Sequence, residues 1–127
     1  MRVVDLFAGC GGLSLGLQQA GFNVVAAFDH WESAVKVYQK NFAHPIFLSD
    51  LQDVKAAVTL IKPFTPNVIV GGPPCQDFSS AGKRDENLGR GDLTLAFTEI
   101  ITEIKPQWFI LENVALFKKS RQYTQAK

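Results

Sequence analysis

One thiol in this chain stands where chemistry can be done. Cys75 follows Gly71-Gly72-Pro73-Pro74, and those residues follow the apolar run Val68-Ile69-Val70. Proline fixes φ and donates no hydrogen bond, so the backbone leading to the sulfur is stiff. The thiolate is the reactive form of cysteine, and a polar, partly electropositive loop mouth favours it. Lys83, Arg84 and Arg90 lie in the same loop and can supply that field, although solvated loop charges are the plainer reading of them. A buried structural thiol is the alternative for Cys75, but it would not need such rigid punctuation.

Glu112 closes the apolar run Trp108–Leu111. A carboxylate beside a thiol suggests proton management at a substrate ring. As a general acid it needs a raised pKa, which partial burial against Trp108 or Phe109 would give. Two further carboxylates also end apolar runs. Asp29 can accept both hydroxyls of a ribose, and Asp50 can accept from an exocyclic amine such as adenine N6. The alternative for both is that they cap the helices that follow. The turn Ala8-Gly9-Cys10-Gly11-Gly12 fits a dinucleotide fingerprint poorly, because the third glycine would fall at position 14, where Ser14 stands. A tight glycine turn still lets a ligand approach the backbone closely. Cys10 reads as a small residue filling that turn.

The elements that must position these groups follow from the hydrophobic pattern. Arg2–Phe7, Asn23–Phe28, Ile46–Leu48, Val68–Val70 and Trp108–Leu111 read as strands, each a nearly continuous apolar run. Leu13, Leu17 and Ala20 recur at helical spacing and stop at Gly21. Ala34, Val35, Tyr38 and Phe42 mark a second helix, and Val54–Ile61 a third that Pro63 and Pro66 end. Leu93, Phe97, Ile100, Ile101 and Ile104 form the clearest stripe. Residues 72–91 read as a long polar loop. Alternating strands and helices predict an α/β fold, a doubly wound, mostly parallel sheet in the order 3-2-1-4-5. Ligands then bind beyond the carboxyl ends of the strands, and nearly every residue named above lies there.

Composition bounds the function. The chain has 127 residues, 46% of them hydrophobic and 20% charged, enough for one domain with a real core. Its net charge of +1 excludes a basic nucleic-acid coat, so contact with phosphates must be local. No apolar run is long enough to span a membrane, and Asp5 interrupts the N-terminal apolar stretch, unlike a signal peptide. Two cysteines and two scattered histidines make no zinc site, so no metal is expected. A reducing cytoplasm is the expected compartment, nucleoid-associated if the source is bacterial.

Together these segments resemble the cytosine-C5 DNA methyltransferases. DLFAGCGGLSLGL (5–17) resembles their S-adenosylmethionine turn, GGPPCQDFSSAG (71–82) their Pro-Cys motif, RGDL (90–93) the next motif, and ENV (112–114) the Glu-Asn-Val motif. All four stand in family order, and the resemblance covers practically the whole chain. It implies a Rossmann-like methyltransferase fold, S-adenosyl-L-methionine as cofactor, and DNA with a flipped cytosine as partner. It makes Cys75 the nucleophile at carbon 6 and Glu112 the residue that holds and protonates N3. Phe7, Gly9, Cys10, Gly11 and Gly12 would line the methionine and ribose side. Asp29 would take the ribose hydroxyls, and Asp50 the adenine amine with Leu51 packing on the ring. Gly72, Pro74 and Leu93 would close the pocket, and Asn113 would hold the Pro-Cys loop.

The sequence departs from the family pattern in two ways. A large aromatic often follows the ribose carboxylate and stacks on adenine; here His30 stands there and Trp31 comes one place later. His30 is the expected stacking residue. The chain also ends at Lys127, soon after the Glu-Asn-Val motif. The expectation is an N-terminal part of the catalytic domain, truncated after the fifth strand, with the target-recognition region and C-terminal closing segment absent. It would be a fragment of a longer enzyme, or one subunit of a split restriction-modification enzyme completed by a second chain. The open edge after strand five would then be a liability. Little activity, and no sequence-specific DNA binding, is expected of the chain alone.

Rival readings are an RNA-directed member of the family, an inactive remnant that at most binds cofactor, and an amino-methyltransferase of DNA. The last carries an aromatic where Cys75 stands. A nicotinamide dehydrogenase would use the same sheet and the acid at position 29, but the missing third glycine and the Pro-Pro-Cys loop count against it.

Overall fold

In the computed structural model, residues 1–73 and 93–112 are described. Strands β1 (Arg2–Leu6), β2 (Asn23–Asp29), β3 (Ile46–Leu48), β4 (Val68–Gly71) and β5 (Trp108–Leu111) form one sheet in the order β3-β2-β1-β4-β5. Every pairing is parallel, as the expected order requires. Helices α1 (Gly12–Gln19), α2 (Glu32–Asn41), α3 (Val54–Ile61) and α4 (Leu93–Ile104) make the crossovers.

Strand alternation divides the core between two faces. Val4 and Leu6 of β1 point to one side, where they meet Ala57, Val58 and Ile61 of α3 and Phe97 and Ile100 of α4. Val3 points to the other, with Val24, Val68 and Val70 against Leu13 and Leu17 of α1. Ala27 and Ile46 pack there against Val35 and Tyr38 of α2. Helices on both faces are what the continuous apolar strands predicted, and β1, β2 and β4 are covered on both.

The outer strand β5 is different. Trp108, Phe109 and Ile110 are 62%, 55% and 48% exposed. The expected burial of Glu112 against Trp108 or Phe109 is therefore not found: Glu112 is itself exposed. Phe109 does meet Phe97 edge-on, with ring centroids 6.3 Å apart, so one face of β5 is tethered to α4.

The first strand ends one residue earlier than the apolar run suggests. Phe7 leaves the sheet with φ +61, a left-handed conformation that bulky residues rarely adopt. Hydrophobicity alone cannot register that turn. The second strand runs one residue longer than expected and takes in Asp29.

Candidate functional site

The carboxyl ends of β1, β2 and β3 converge on a cleft of about 480 Å³. Its walls include Phe7, His30, Leu48, Ser49, Asp50, Leu51, Gln52 and Leu93. Five of these (Phe7, His30, Asp50, Leu51 and Leu93) are expected site residues, drawn from four separate segments. Leu48 and Gln52 were not anticipated, although they flank the β3-end segment Ser49-Asp50-Leu51 that the strand-end rule points to.

Phe7 reaches the cleft because of its unusual backbone. The turn after it is pinned from two sides: Ala8 N–H donates to the Phe28 carbonyl at 2.9 Å, and Gly11 N–H to the Ala8 carbonyl at 3.0 Å. Gly9 and Gly11 both have positive φ, +58 and +105. At Gly11 a side chain would also collide with the Phe42 and Tyr38 rings, so glycine is required there twice over. Gly12 opens α1, and Cys10 is an exposed free thiol on the same turn.

Asp29 is 7% exposed at the end of β2. Its Oδ1 accepts from Gly9 N–H and its Oδ2 from Trp31 N–H, both at 3.1 Å. Two amides from opposite sides thus hold the carboxylate in one orientation beside the glycine turn. This is not the capping role held open for Asp29, since α2 has Trp31 at its N-cap with no side-chain bond. Asp50 is exposed, and its Oδ1 accepts from Gln52 N–H at 3.0 Å. Capping of α3 falls instead to Asp53, which accepts from Ala56 N–H at 3.2 Å. Leu51 is buried between the cleft and the core. His30 is on the cleft wall, whereas Trp31 is 62% exposed and is not among the lining residues.

At β4, Glu112 N–H donates to the Gly71 carbonyl at 2.8 Å. The Glu112 carboxylate lies over Gly72, where an added Cβ would come within 3.1 Å of Oε1. Gly72 and Glu112 are therefore adjacent across neighbouring strand ends. Cys75, Pro74, Asn113, the loop cations Lys83, Arg84 and Arg90, and most of the Pro-Cys and Glu-Asn-Val segments lie outside the described residues.

Sequence reasoning missed a buried polar row beneath the glycine turn. Asp5 accepts from the Ser14 hydroxyl, Tyr38 donates to Ser14, and His44 meets the Tyr38 oxygen. The available signal was Asp5 itself, a charge in the middle of a parallel strand in a sheet covered on both faces.

A family model described as C-5 cytosine-specific DNA methylase matches residues 1–127. The Type II methyltransferase M.HindV of Haemophilus influenzae is 58% identical over 120 residues, 94% of this chain and 40% of the relative. The Type II methyltransferase M.HgiGI of Herpetosiphon aurantiacus is 57% identical over 126 residues, 99% of this chain and 100% of the relative. Against M.HindV and another Herpetosiphon relative, M.HgiDI, the chain spans about two fifths of their length, 40% and 41%. Among solved structures, a DNA modification methyltransferase encoded within an E. coli prophage superposes with a TM-score of 0.80 at 31% identity. That match covers 98% of this chain and 35% of the other. Among the described residues, no helix is long and apolar enough to cross a membrane.

Proposed function

Because this chain belongs to the C-5 cytosine-specific DNA methylase family, we propose that it serves methyl transfer from S-adenosyl-L-methionine to carbon 5 of a cytosine flipped out of DNA. The observation that carries this reading is the convergence of Phe7, His30, Asp50 and Leu51 on one cleft next to the pinned Asp29. The residues suit the cofactor. Asp29 offers a fixed carboxylate to two ribose hydroxyls. Asp50, whose Oδ1 accepts from the Gln52 amide, has further lone pairs with which to accept from an adenine amine. Leu51 and His30 supply an apolar and a planar surface for the ring, and the Gly9–Gly12 turn leaves room at the methionine side. When bound, the cofactor supplies an electrophilic methyl on a sulfonium.

The chain's own residues do the rest. Carbon 5 of cytosine is a poor nucleophile. The Cys75 thiolate adds to carbon 6 while Glu112 holds N3 and gives it a proton, and the ring becomes an enamine that is nucleophilic at carbon 5. After methylation a base takes the carbon-5 proton, the carbon–sulfur bond breaks, the thiolate is released as the 5,6 double bond returns, and N3 gives its proton back to Glu112. The Pro73-Pro74 approach restrains the sulfur, and a misplacement of an ångström costs on the order of a hundredfold in rate.

The test is covalent trapping. The chain is incubated with S-adenosylmethionine and a 5-fluorocytosine oligonucleotide, as DNA and as RNA, and adducts are resolved by mass. A DNA adduct that disappears in Cys75→Ala supports the proposal. Methyl transfer that persists in that variant eliminates it, and an adduct on RNA alone moves the substrate class. Calorimetry with S-adenosylhomocysteine tests the cofactor half separately. Asp29→Asn should bind about tenfold or more weakly, since a buried carboxylate–hydroxyl hydrogen bond is worth roughly 1.5–3 kcal/mol.

A further inference from the structure

A buried carboxyl that this chemistry does not use lies under the glycine turn. Asp5 is 1% exposed in β1, flanked in the sheet by Ala27 and Val70. Its Oδ2 accepts from the Ser14 hydroxyl, in the first turn of α1, at 2.5 Å. Tyr38 of α2 donates to Ser14 Oγ at 2.8 Å. His44 Nε2 meets the Tyr38 oxygen at 2.5 Å, on the half-buried segment before β3. Each hydroxyl has a single proton, so with Asp5 accepting, the directions are set. Ser14 donates to Asp5, Tyr38 to Ser14, and His44 Nε2–H to Tyr38. Such a row can reverse as a unit, the Asp5 proton moving to Ser14 Oγ, the Ser14 proton to Tyr38, and the Tyr38 proton to a neutral His44.

Other charges bear on the same carboxyl. Asp5 Oδ1 is buried with no hydrogen-bond partner among the described residues. Burial pushes the Asp5 carboxyl up to about 7; the Ser14 bond opposes this, and the carboxylates of Asp29 and Glu112 reinforce it. Burial, opposed by the bond to Ser14, carries the Tyr38 phenol up to about 12, and burial lowers His44. The carboxylates of Asp29 and Glu112 both act on the buried Asp5, and among the described residues no cation does. That is a poor place for a neutral ligand to select ionised Asp5, and a good place for a cation.

We propose that the Asp5–Ser14–Tyr38–His44 row makes binding of the methyl donor a proton-releasing event. The sulfonium charge near the glycine turn is matched by ionisation of Asp5, whose O–H bond breaks and whose proton leaves along the row to solvent at His44. The uncharged thioether product leaves the carboxyl protonated. Product is then discriminated from donor by charge, without any contact to the methyl group. This rests on the cofactor reading above.

Calorimetric titration of the chain in buffers of different ionisation enthalpy, slightly below pH 7, counts the protons. S-adenosylmethionine should release a substantial fraction of one proton and S-adenosylhomocysteine close to none. The donor-to-product affinity ratio should rise with pH, by about tenfold per unit at most. Asp5→Asn should abolish the release while still binding the thioether. Tyr38→Phe interrupts the row, so it should keep the proton count but slow its appearance in stopped-flow with an indicator dye. Equal proton counts for the two ligands, release that survives Asp5→Asn, or an unslowed Tyr38→Phe overturns the coupling alone. Failure of both ligands to bind overturns the cofactor reading and the proposal with it. Should Asp5→Asn fold poorly, a flat affinity ratio across pH in the parent chain decides against the proposal.

Discussion

The β1–β3 half of the sheet and its β4–β5 half hold their carboxylates by opposite means. In the first, Asp29 is 7% exposed and both of its oxygens are taken by backbone amides. Asp5 is deeper still, and its one bonded oxygen is reached through α1 and α2. In the second, Glu112 is exposed and is anchored through its own backbone to Gly71. Trp108, Phe109 and Ile110 beside it are apolar and open to solvent. The lesson concerns pre-organisation. Orientation in the first half is written into contacts between neighbouring strands and helices. In the second half, among the described residues, Glu112 is placed by its strand end, and Phe109 meets Phe97 of α4 while the Trp108 and Glu112 side chains stay open to solvent. Substitutions in the first half should therefore unsettle the fold or the ligand, and those at the solvent-facing Trp108 of β5 should do neither.

The largest effect should come from the turn that joins the first half together. Gly11→Val puts a branched side chain at φ +105, with its Cβ 2.9 Å from Phe42 Cζ and 3.1 Å from Tyr38 Cδ2. Backbone strain and overpacking each cost roughly 1–3 kcal/mol, so a loss of about 3 kcal/mol or more is expected in urea unfolding. Gly16, inside the helix α1 that Gly11 precedes, has open space around its Cβ position and no positive φ. Gly16→Ala should stabilise by about 1 kcal/mol. If the two variants behave alike, the turn does not clamp this half of the sheet.

These contrasts also mark what could be read from the residues alone. The strands and helices were legible because β-branched runs and 3.6-residue stripes are local. Asp29, Asp50 and Leu51 could be placed as candidates because the crevice of a parallel sheet lies beyond its strand ends, whereas Leu93, which opens α4, was named only through the resemblance of RGDL to a family motif. Phe7 was assigned to a strand because hydrophobicity does not encode φ. Asp5 was read only as a break in an apolar run. Its meaning depends on Ser14, Tyr38 and His44, up to 39 residues away, converging across two helices. The open edge after β5 was foreseen, but the exposure of the Trp108, Phe109 and Ile110 side chains was not, since an edge strand and an interior strand share the same apolar letters.

A second effect follows from that missed carboxyl. The folded-state pKa of Asp5 is raised from 3.8 to about 7. The folded protein therefore holds this proton more tightly than the unfolded chain does. Its stabilising share is complete below about pH 4 and is lost as pH climbs through about 7. Above that, an ionised carboxylate sits buried at a cost on the order of a few kcal/mol. Asp5→Asn removes the charge but keeps an acceptor for Ser14. It should raise the thermal midpoint at about pH 8 and do little near pH 5. A gain of equal size at both pH values would mean that packing, not charge, governs the site.

The smallest effect is expected on β5, and it is the sharpest check on the comparison. Trp108 is 62% exposed, so most of its surface stays in water in the folded chain. Replacing it by threonine keeps strand propensity and the backbone pairing of Val68 with residue 108. Surface changes of this kind usually shift stability by about 0.5 kcal/mol or less. Trp108→Thr should therefore leave the urea midpoint and S-adenosylhomocysteine affinity nearly unchanged, while lowering self-association in sedimentation, because a smaller apolar patch is offered to other copies. A loss of 2 kcal/mol or more, well outside the roughly 0.5 kcal/mol range of surface positions, would show that the indole is covered in solution. The two halves would then be held alike.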